Sequence, residues 1–212
     1  MSALSVARLR ARLGKQNIGR EIIVLEETTS TNDAILRRAM PDTPEGLVIF
    51  AELQTAGRGQ RSNVWESAAN KGLWFSILLR PKIDIGESAR LSRWAIDAVA
   101  AAIQREFGLT ATIKPPNDVY VGDKKLAGVL VEMRAQQNTP HLVIAGIGVN
   151  VNHSAEDFSD AVRPRAASLS MLLGREVDRE MFAVELLRDL DRSYAATFAD
   201  RGGSSSPSSM VT

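Results

Sequence analysis

Apolar residues along this chain form two kinds of pattern, continuous runs and spaced stripes. Continuous runs rich in β-branched and aromatic residues predict buried strands, and they lie at 22–25, 47–51, 73–79, 110–113, 119–121, 126–132 and 142–152. Apolar residues spaced three or four apart predict amphipathic helices, and these lie at 4–13, 34–40, 91–107, 166–173 and 179–198. Residues 122–125 separate two of the runs and predict a hairpin turn.

The order of these elements predicts an α+β fold. Strands and helices are mixed without regular βαβ alternation, which favours a mixed, largely antiparallel sheet flanked by helices. The 212-residue length fits one large domain, and we expect it to span residues 1–201. Residues 202–212, GGSSSPSSMVT, have the composition of a flexible tail.

Composition excludes several classes of function. The 26 Lys and Arg residues balance 25 Asp and Glu residues, so the net charge of +1 gives no bulk attraction to nucleic acid or to an anionic membrane. Cysteine is absent, which excludes disulfides and thiolate metal sites. No apolar run approaches the roughly 20 residues that span a bilayer, so we expect a soluble, cytoplasmic protein. His141 and His153 lie in no metal-binding or catalytic-triad spacing.

The segment Gln54–Trp65, QTAGRGQRSNVW, lies between two predicted strands and carries the clearest candidate chemistry. Gly57 and Gly59 allow close approach of a ligand to the backbone. Arg58 and Arg61 offer guanidinium groups suited to phosphate or carboxylate. The segment matches neither a Walker A loop nor G-x-G-x-x-G, because Ser62 stands where the third glycine would fall. A solvated turn is the alternative interpretation.

A second polar cluster, Ser30-Thr31-Asn32, lies at a predicted strand-to-helix junction. Helix capping explains at least one of these residues, but capping does not require three in a row. The cluster is therefore a candidate binding surface.

A third candidate region combines Lys114-Pro115-Pro116-Asn117-Asp118 with Lys125 on the hairpin. The prolines stiffen a turn that carries a cation, an amide and a carboxylate, and Asp118 could hold Mg²⁺ for a nucleotide. An Asx turn is the alternative for Asn117 and Asp118. A solvated turn is the alternative for Lys125 and its neighbour Lys124.

Five segments in order and spacing resemble the biotin protein ligase family, also called biotin–[acetyl-CoA-carboxylase] ligase. The resemblance extends from about Ile22 to Phe198. The matching segments are Thr29–Asn32, Gln54–Arg61 with Trp65, Lys114–Asp118, Lys125–Glu132 and Gly146–Asn152. The resemblance implies a fold related to class II aminoacyl-tRNA synthetase and lipoyl ligase catalytic domains. It also implies a two-step reaction, in which biotin and MgATP form biotinyl-5′-adenylate and a lysine of a biotin carboxyl carrier domain then takes the biotin.

The resemblance also implies roles for individual residues. It assigns Arg58 and Lys125 to catalysis, where both approach the biotin carboxylate and the α-phosphate. Biotin binding falls to Ser30, Thr31, Asn32, Gln54, Gly57, Arg58 and Gly128. Nucleotide binding falls to Arg58, Arg61, Trp65, Lys114, Asn117, Lys125 and Asn150. Asp118 is the expected Mg²⁺ ligand.

The sequence departs from the family pattern in three ways. Pro115 stands where the family has tryptophan, which changes an expected apolar wall of the biotin pocket. Ser62 stands where the family has glycine, which costs about 1 kcal/mol if that position needs a positive φ. The resemblance includes no N-terminal helix-turn-helix and no small C-terminal β-barrel, so repressor activity is not expected.

Two alternative functions follow from these departures. One is a ligase for lipoate or another acyl acid, and the other is a degenerate biotin-binding homologue without turnover. Pairing of two copies through sheet edges is a further expectation from the family.

Overall fold

The computed structural model describes residues 3–134 and 141–198, so the predicted tail at 202–212 lies outside the described residues. The helices are α1 (Val6–Leu13), α2 (Thr31–Arg38), α3 (Ser88–Phe107), α4 (Leu169–Leu173) and α5 (Arg179–Phe198). The strands are β1 (Glu21–Thr28), β2 (Leu47–Gln54), β3 (Leu73–Leu79), β4 (Ala111–Lys114), β5 (Asp118–Val121), β6 (Lys124–Arg134) and β7 (Leu142–Val149). Among the described helices, none combines the length and apolarity that a membrane span requires.

The predicted elements are present, but several of their boundaries differ from the prediction, and two helix starts illustrate this. Helix α2 begins at Thr31, three residues before the predicted start. The helix predicted over 166–173 begins only at Leu169, because Ser168 caps it by accepting a hydrogen bond from the Met171 N–H. The preceding Ala167 N–H bonds instead to the Lys125 carbonyl at 3.0 Å, which ties this segment to the start of β6.

The strands form one sheet in the order β1-β2-β3-β7-β6-β5-β4. Among the described strands only β1 and β2 pair in parallel, and the other five neighbouring pairs of this sheet are antiparallel. The predicted mixed, largely antiparallel sheet is therefore confirmed. Strands β3, β7 and β6 occupy the centre of the sheet. Side chains on either face of these strands therefore lie near the middle of the molecule.

The two faces of the sheet have different coverings. One face carries the main core, in which Phe75 and Ile77 of β3 pack with apolar residues of α1, α3 and α5. The other face carries a smaller apolar cluster where Ile35 of α2 packs against Ile49 and Leu78. Because α2 covers only part of this second face, the remainder beside α2 is available for a site.

A buried ion pair joins the ends of several elements. Arg179, at the start of α5, lies 2.8 Å from the carboxylate of Glu52 on β2, and both residues are 5% exposed. Arg179 also donates to the Gly72 carbonyl before β3, and Glu52 accepts from the Leu4 N–H. A buried charge pair of this kind is costly to break because the remaining partner loses its compensation.

His153, just after β7, is a second unusual buried group. It is 2% exposed and stacks on Phe158, with ring centroids 4.9 Å apart. Neither ring nitrogen has a hydrogen-bond partner among the described residues. Burial lowers the pKa of His153 from its ordinary 6.5 to about 4, because the charged imidazolium is poorly solvated there.

This pKa shift predicts a loss of stability in mild acid. Between pH 6.5 and 4 the unfolded chain binds a proton at this position while the folded protein does not. The contribution of the neutral His153 to the free energy of unfolding is therefore complete above pH 6.5. It falls as the pH drops, by about 3 kcal/mol in total. Urea unfolding at pH 7 and pH 4 measures this change. Between these pH values the free energy of unfolding of His153→Phe should fall by about 3 kcal/mol less than that of the wild type. Equal losses in both proteins would contradict the assignment.

Candidate active site

The floor of the candidate site is a patch of the sheet without side chains. One row across the sheet aligns Trp74 of β3, Gly148 of β7, Gly128 of β6 and Asp118 of β5. The next row on the same face aligns Ser76 with Gly146. Three of these positions are glycine, so the face is flat between Trp74 and Asp118, and other groups can approach the backbone closely.

Trp65 lies directly on this floor. A Cβ added at Gly148 would lie 2.6 Å from the Trp65 ring, and one added at Gly128 would lie 2.9 Å from it. The ring meets Trp74 edge-on at 6.0 Å between centroids, and the Lys125 ammonium lies 5.3 Å from its centre. Its Nε1 is buried and makes no hydrogen bond to the described residues. The glycines are therefore required for Trp65 to lie where it does.

The predicted polar cluster lies at one end of the same floor. Ser30, Thr31 and Asn32 are each less than 5% exposed. Ser30 is the N-cap residue of α2, but its side chain makes no capping bond. The Ser30 side chain is therefore not used to cap the helix.

Hydrogen bonds fix the orientation of the cluster. Gln54 Oε1 accepts from the Thr31 N–H at 2.9 Å and from the Thr31 hydroxyl at 3.1 Å. The Ser76 hydroxyl, fully buried on β3, donates to Asn32 Oδ1 at 2.5 Å. Asn32 itself covers Gly146, where an added Cβ would lie 2.3 Å from Asn32 Oδ1. The result is a preorganised set of amide and hydroxyl groups.

Arg58 is held between two carboxylates. Its Nη1 lies 2.7 Å from Asp33 Oδ2 on α2, and its Nη2 lies 3.2 Å from Glu132 Oε2 on β6. The hydrogen bond to Asp33, reinforced by Glu132, raises the pKa of Arg58 above its ordinary value. The guanidinium is therefore permanently charged, but each terminal nitrogen already donates to an acid.

Lys125, the other predicted cation, is also paired. Its Nζ lies 2.7 Å from Asp118 Oδ1. Arg58 and Lys125 together bring two positive charges, whereas Asp33, Glu132 and Asp118 bring three negative charges. An anionic ligand must therefore replace at least one of these carboxylates to gain a full charge interaction.

These groups surround one cavity of about 90 Å³. Its lining includes the predicted residues Ser30, Thr31, Asn32, Gln54, Arg58, Trp65, Asn117, Asp118, Lys125 and Gly128. Pockets for small molecules are typically several hundred Å³. This cavity is therefore smaller than a typical small-molecule pocket.

Some predicted residues lie in other surroundings. Gly57 is buried beneath the Trp65 carbonyl, where an added Cβ would lie only 2.5 Å away. Arg61 is exposed, and Lys114 is exposed with its ammonium 3.7 Å from the Tyr120 ring centre. Asn150 donates its side-chain amide to the Ala167 carbonyl at 3.0 Å. The binding roles expected for these four residues stay predictions.

Asn117 does line the cavity, but its side chain already has a partner. Its Nδ2 donates to the Val129 carbonyl at 2.7 Å, and its carbonyl accepts from the Val129 N–H. This pair closes the turn before β5 onto β6. The expected contact of Asn117 with a nucleotide stays a prediction.

The two expected departures at Ser62 and Pro115 have different structural settings. In the turn Gln60–Ser62 the residue with left-handed dihedrals is Arg61, at φ 54 and ψ 39. The expected strain therefore falls on Arg61 rather than on Ser62. Pro115 is exposed, and it is absent from the residues that line the cavity.

The described residues do not form a protein-built metal centre. They include no group of three or more His, Cys, Asp or Glu side chains that could hold an ion. Asp118 is the only predicted ligand, and it is already paired with Lys125. A Mg²⁺ ion carried by a nucleotide needs only one or two protein carboxylates, so the role of Asp118 stays a prediction.

Sequence reasoning missed three residues that complete the site. Ser76, Asp33 and Glu132 contact predicted residues directly. Ser76 carried a usable signal, since it is a lone hydroxyl in the apolar run LWFSILL. Neither acid stood out by its type or place, because charged residues at a helix start and near a strand end are common on surfaces, although Glu132 ends one of the five matching segments.

Comparison with known proteins finds one matching protein family and several curated relatives. The Biotin/lipoate A/B protein ligase family matches residues 24–150. The "Bifunctional ligase/repressor BirA" of Bacillus spizizenii is 36% identical over 191 residues, which cover 90% of this chain and 59% of that protein. The "Biotin--[acetyl-CoA-carboxylase] ligase" of Mycobacterium tuberculosis is 36% identical over 179 residues, covering 81% and 63%. The chain thus spans about three fifths of the length of these curated relatives.

A solved structure gives the same result at the level of the fold. The biotin protein ligase of Aquifex aeolicus, in complex with biotin and ATP, superposes with a TM-score of 0.69 at 28% identity. The match covers 82% of this chain and 70% of that one. The expected relation to the biotin and lipoyl ligase fold is confirmed.

The glycine floor makes a direct prediction. Gly148→Ala introduces a Cβ against the Trp65 ring, and relieving such overpacking typically costs about 1–3 kcal/mol. The free energy of unfolding should fall by this amount, whereas Gly86→Ala, with no atom within 4 Å of the added Cβ, should be neutral or slightly stabilising.

A double-mutant cycle identifies the cause. In a Trp65→Ala background the ring is gone, so the added effect of Gly148→Ala should fall below about 0.5 kcal/mol. An undiminished cost in that background would show that Trp65 does not lie on Gly148.

Proposed function

The chain belongs to the biotin/lipoate A/B protein ligase family, and we propose that it is an ATP-dependent biotin protein ligase. Biotin and MgATP form biotinyl-5′-adenylate and pyrophosphate in the first step. In the second step a specific lysine of the biotin carboxyl carrier domain of a biotin-dependent carboxylase accepts the biotin. The observation that carries this proposal is that Arg58 and Lys125 line the same cavity as the buried cluster of Ser30, Thr31 and Asn32 and its partner Gln54.

The buried cluster supplies recognition of the ureido ring. A ureido group both donates and accepts hydrogen bonds, and Asn32 and Thr31 offer both functions in a water-poor environment. Asn32 is held at both ends of its amide by Ser76 and Glu132. Preorganisation of this kind lowers the entropy cost of ligand binding.

Arg58 and Lys125 supply charge stabilisation in the first step. An oxygen of the biotin carboxylate attacks the α-phosphorus of ATP, and pyrophosphate leaves with the bonding electron pair. Two anions must meet in this step, so cations between them lower the barrier by electrostatic stabilisation. Binding of the acid then exchanges a protein carboxylate on Arg58 for the substrate's carboxylate.

Lys125 and its surroundings suit the nucleotide side of the reaction. Displacement of Asp118 from Lys125 frees the ammonium for the α-phosphate, and the released carboxylate can approach Mg²⁺ that arrives with ATP. Trp65, which lies 5.3 Å from Lys125, offers a flat surface for the adenine. In the second step the lysine amine attacks the acyl carbon, and AMP leaves.

Loss of either cation should abolish most of the adenylation activity. In a pyrophosphate-release assay with biotin and MgATP, Arg58→Met and Lys125→Met should each lower kcat/KM by about 10²–10³. The matched control Lys124→Met, which removes a cation from the same turn outside the cavity, should stay within about threefold. Wild-type protein that binds biotin but releases no pyrophosphate would identify the degenerate homologue instead.

The polar character of the buried cluster predicts the preferred acid. Sites built to hydrogen-bond a substrate group strongly reject analogues that lack it, because the buried polar groups are then left unpaired. The dithiolane ring of lipoate offers no ureido group, so biotin should be preferred in kcat/KM by at least about 10³. Competition of the two acids in the adenylation assay measures this ratio. A preference for lipoate would support the alternative ligase function.

A further inference from the structure

Glu132 contacts the two groups on which the proposed function rests. Its Oε2 accepts from Asn32 Nδ2 at 2.5 Å and from Arg58 Nη2 at 3.2 Å. Its Oε1 lies 3.4 Å from the same Arg58 nitrogen. One carboxylate thus joins the side-chain amide of Asn32 to the guanidinium of Arg58. In the proposed function Asn32 lies in the pocket for the biotin ring (the ring pocket, formed by Ser30, Thr31 and Asn32), and Arg58 lies at the biotin carboxylate.

The three side chains belong to three different elements. Asn32 lies in α2, Glu132 in β6, and Arg58 in the connection between β2 and β3. Arg58 is on the least regular of these segments, and its own backbone contributes only an isolated bridge to Val64. The orientation of its guanidinium therefore depends on the side chains that hold it.

Glu132 has a firm base from which to hold Arg58. Strand β6 pairs along its length with β7, and Glu132 is opposite Ile144. The acid is also fixed through Asn32 to Ser76, which is fully buried on β3. A continuous chain of hydrogen bonds thus runs from the centre of the sheet to the catalytic cation.

Asp33 is the natural comparison. Its carboxylate Oδ2 also accepts a hydrogen bond from Arg58 Nη1, at 2.7 Å. The contacts described for Asp33 do not include Asn32 or any other group of the ring pocket. Removing its charge therefore perturbs Arg58 alone.

We propose that Glu132 is a positioning residue that sets Asn32 and Arg58 in one arrangement, so that ring recognition and carboxylate activation act on the same acid molecule. The proposal deepens the proposed function and rests on it. Carboxylate contacts to both a cation and an amide favour a single rotamer for each partner, since charge-assisted hydrogen bonds are the strong ones. If Glu132 had only a structural role, it would contribute to stability but would not couple the orientation of Asn32 to that of Arg58.

The test compares Glu132→Gln with its matched control Asp33→Asn. Both changes convert one carboxylate on Arg58 to an amide of the same size. In the pyrophosphate-release assay, Glu132→Gln should lower kcat at least about tenfold more than Asp33→Asn does. Both variants should unfold within a few degrees of wild type. A kcat no lower for Glu132→Gln than for Asp33→Asn would overturn the proposal.

A second readout does not need turnover. NMR of the ligand-free protein follows the Arg58 Nε–Hε signal and the Asn32 side-chain amide, assigned by their loss in Arg58→Lys and Asn32→Asp. Glu132→Gln should shift both signals, and Asp33→Asn should shift only that of Arg58. An unmoved Asn32 amide in Glu132→Gln would overturn the positioning role. If the two variants show these shifts while the wild type releases no pyrophosphate, the proposed function fails but the coupling stands.

Discussion

The site depends on the absence of side chains from one part of the sheet. Gly128, Gly146 and Gly148 lie on adjacent central strands and on one face, and the antiparallel register brings them together. Trp65 and Asn32 occupy the space that this leaves, each so close that an added Cβ would clash with it. A side chain at any of these positions would displace the groups that form the cavity, so the register of β3, β7 and β6 determines the geometry of the site.

Electrostatics impose the second constraint. The two cations that suit an acid and a phosphate are each paired with protein carboxylates. Pairing avoids leaving partly buried charges uncompensated in the ligand-free protein. It also means that ligand binding is an exchange of partners rather than a simple addition. The carboxylates differ in their connections, since Glu132 is linked to the ring pocket through Asn32 and Asp33 is not so linked by the described contacts.

Much of the fold could be predicted from the sequence, because its strands are continuous apolar runs and its long helices have regular stripes. The predicted start of α4 was wrong because the backbone N–H of Ala167 bonds to the carbonyl of the distant Lys125. The local sequence pattern does not contain this contact. In the site, the resemblance identified Arg58, Lys125 and the cluster at 30–32. It did not identify Asp33 or Glu132, because their importance comes from which side chains the sheet and α2 bring within reach of Arg58.

The central claim is that one cavity binds biotin and ATP so that Arg58 and Lys125 bring the carboxylate and the α-phosphate together. The most direct measurement is a crystal structure of the protein soaked with biotin and MgATP. The account predicts density for biotinyl-5′-adenylate in the cavity beside Trp65, with the acyl-phosphate linkage between Arg58 and Lys125 and the ureido ring at Asn32. Adenylate bound elsewhere, or with its linkage away from both cations, would contradict it.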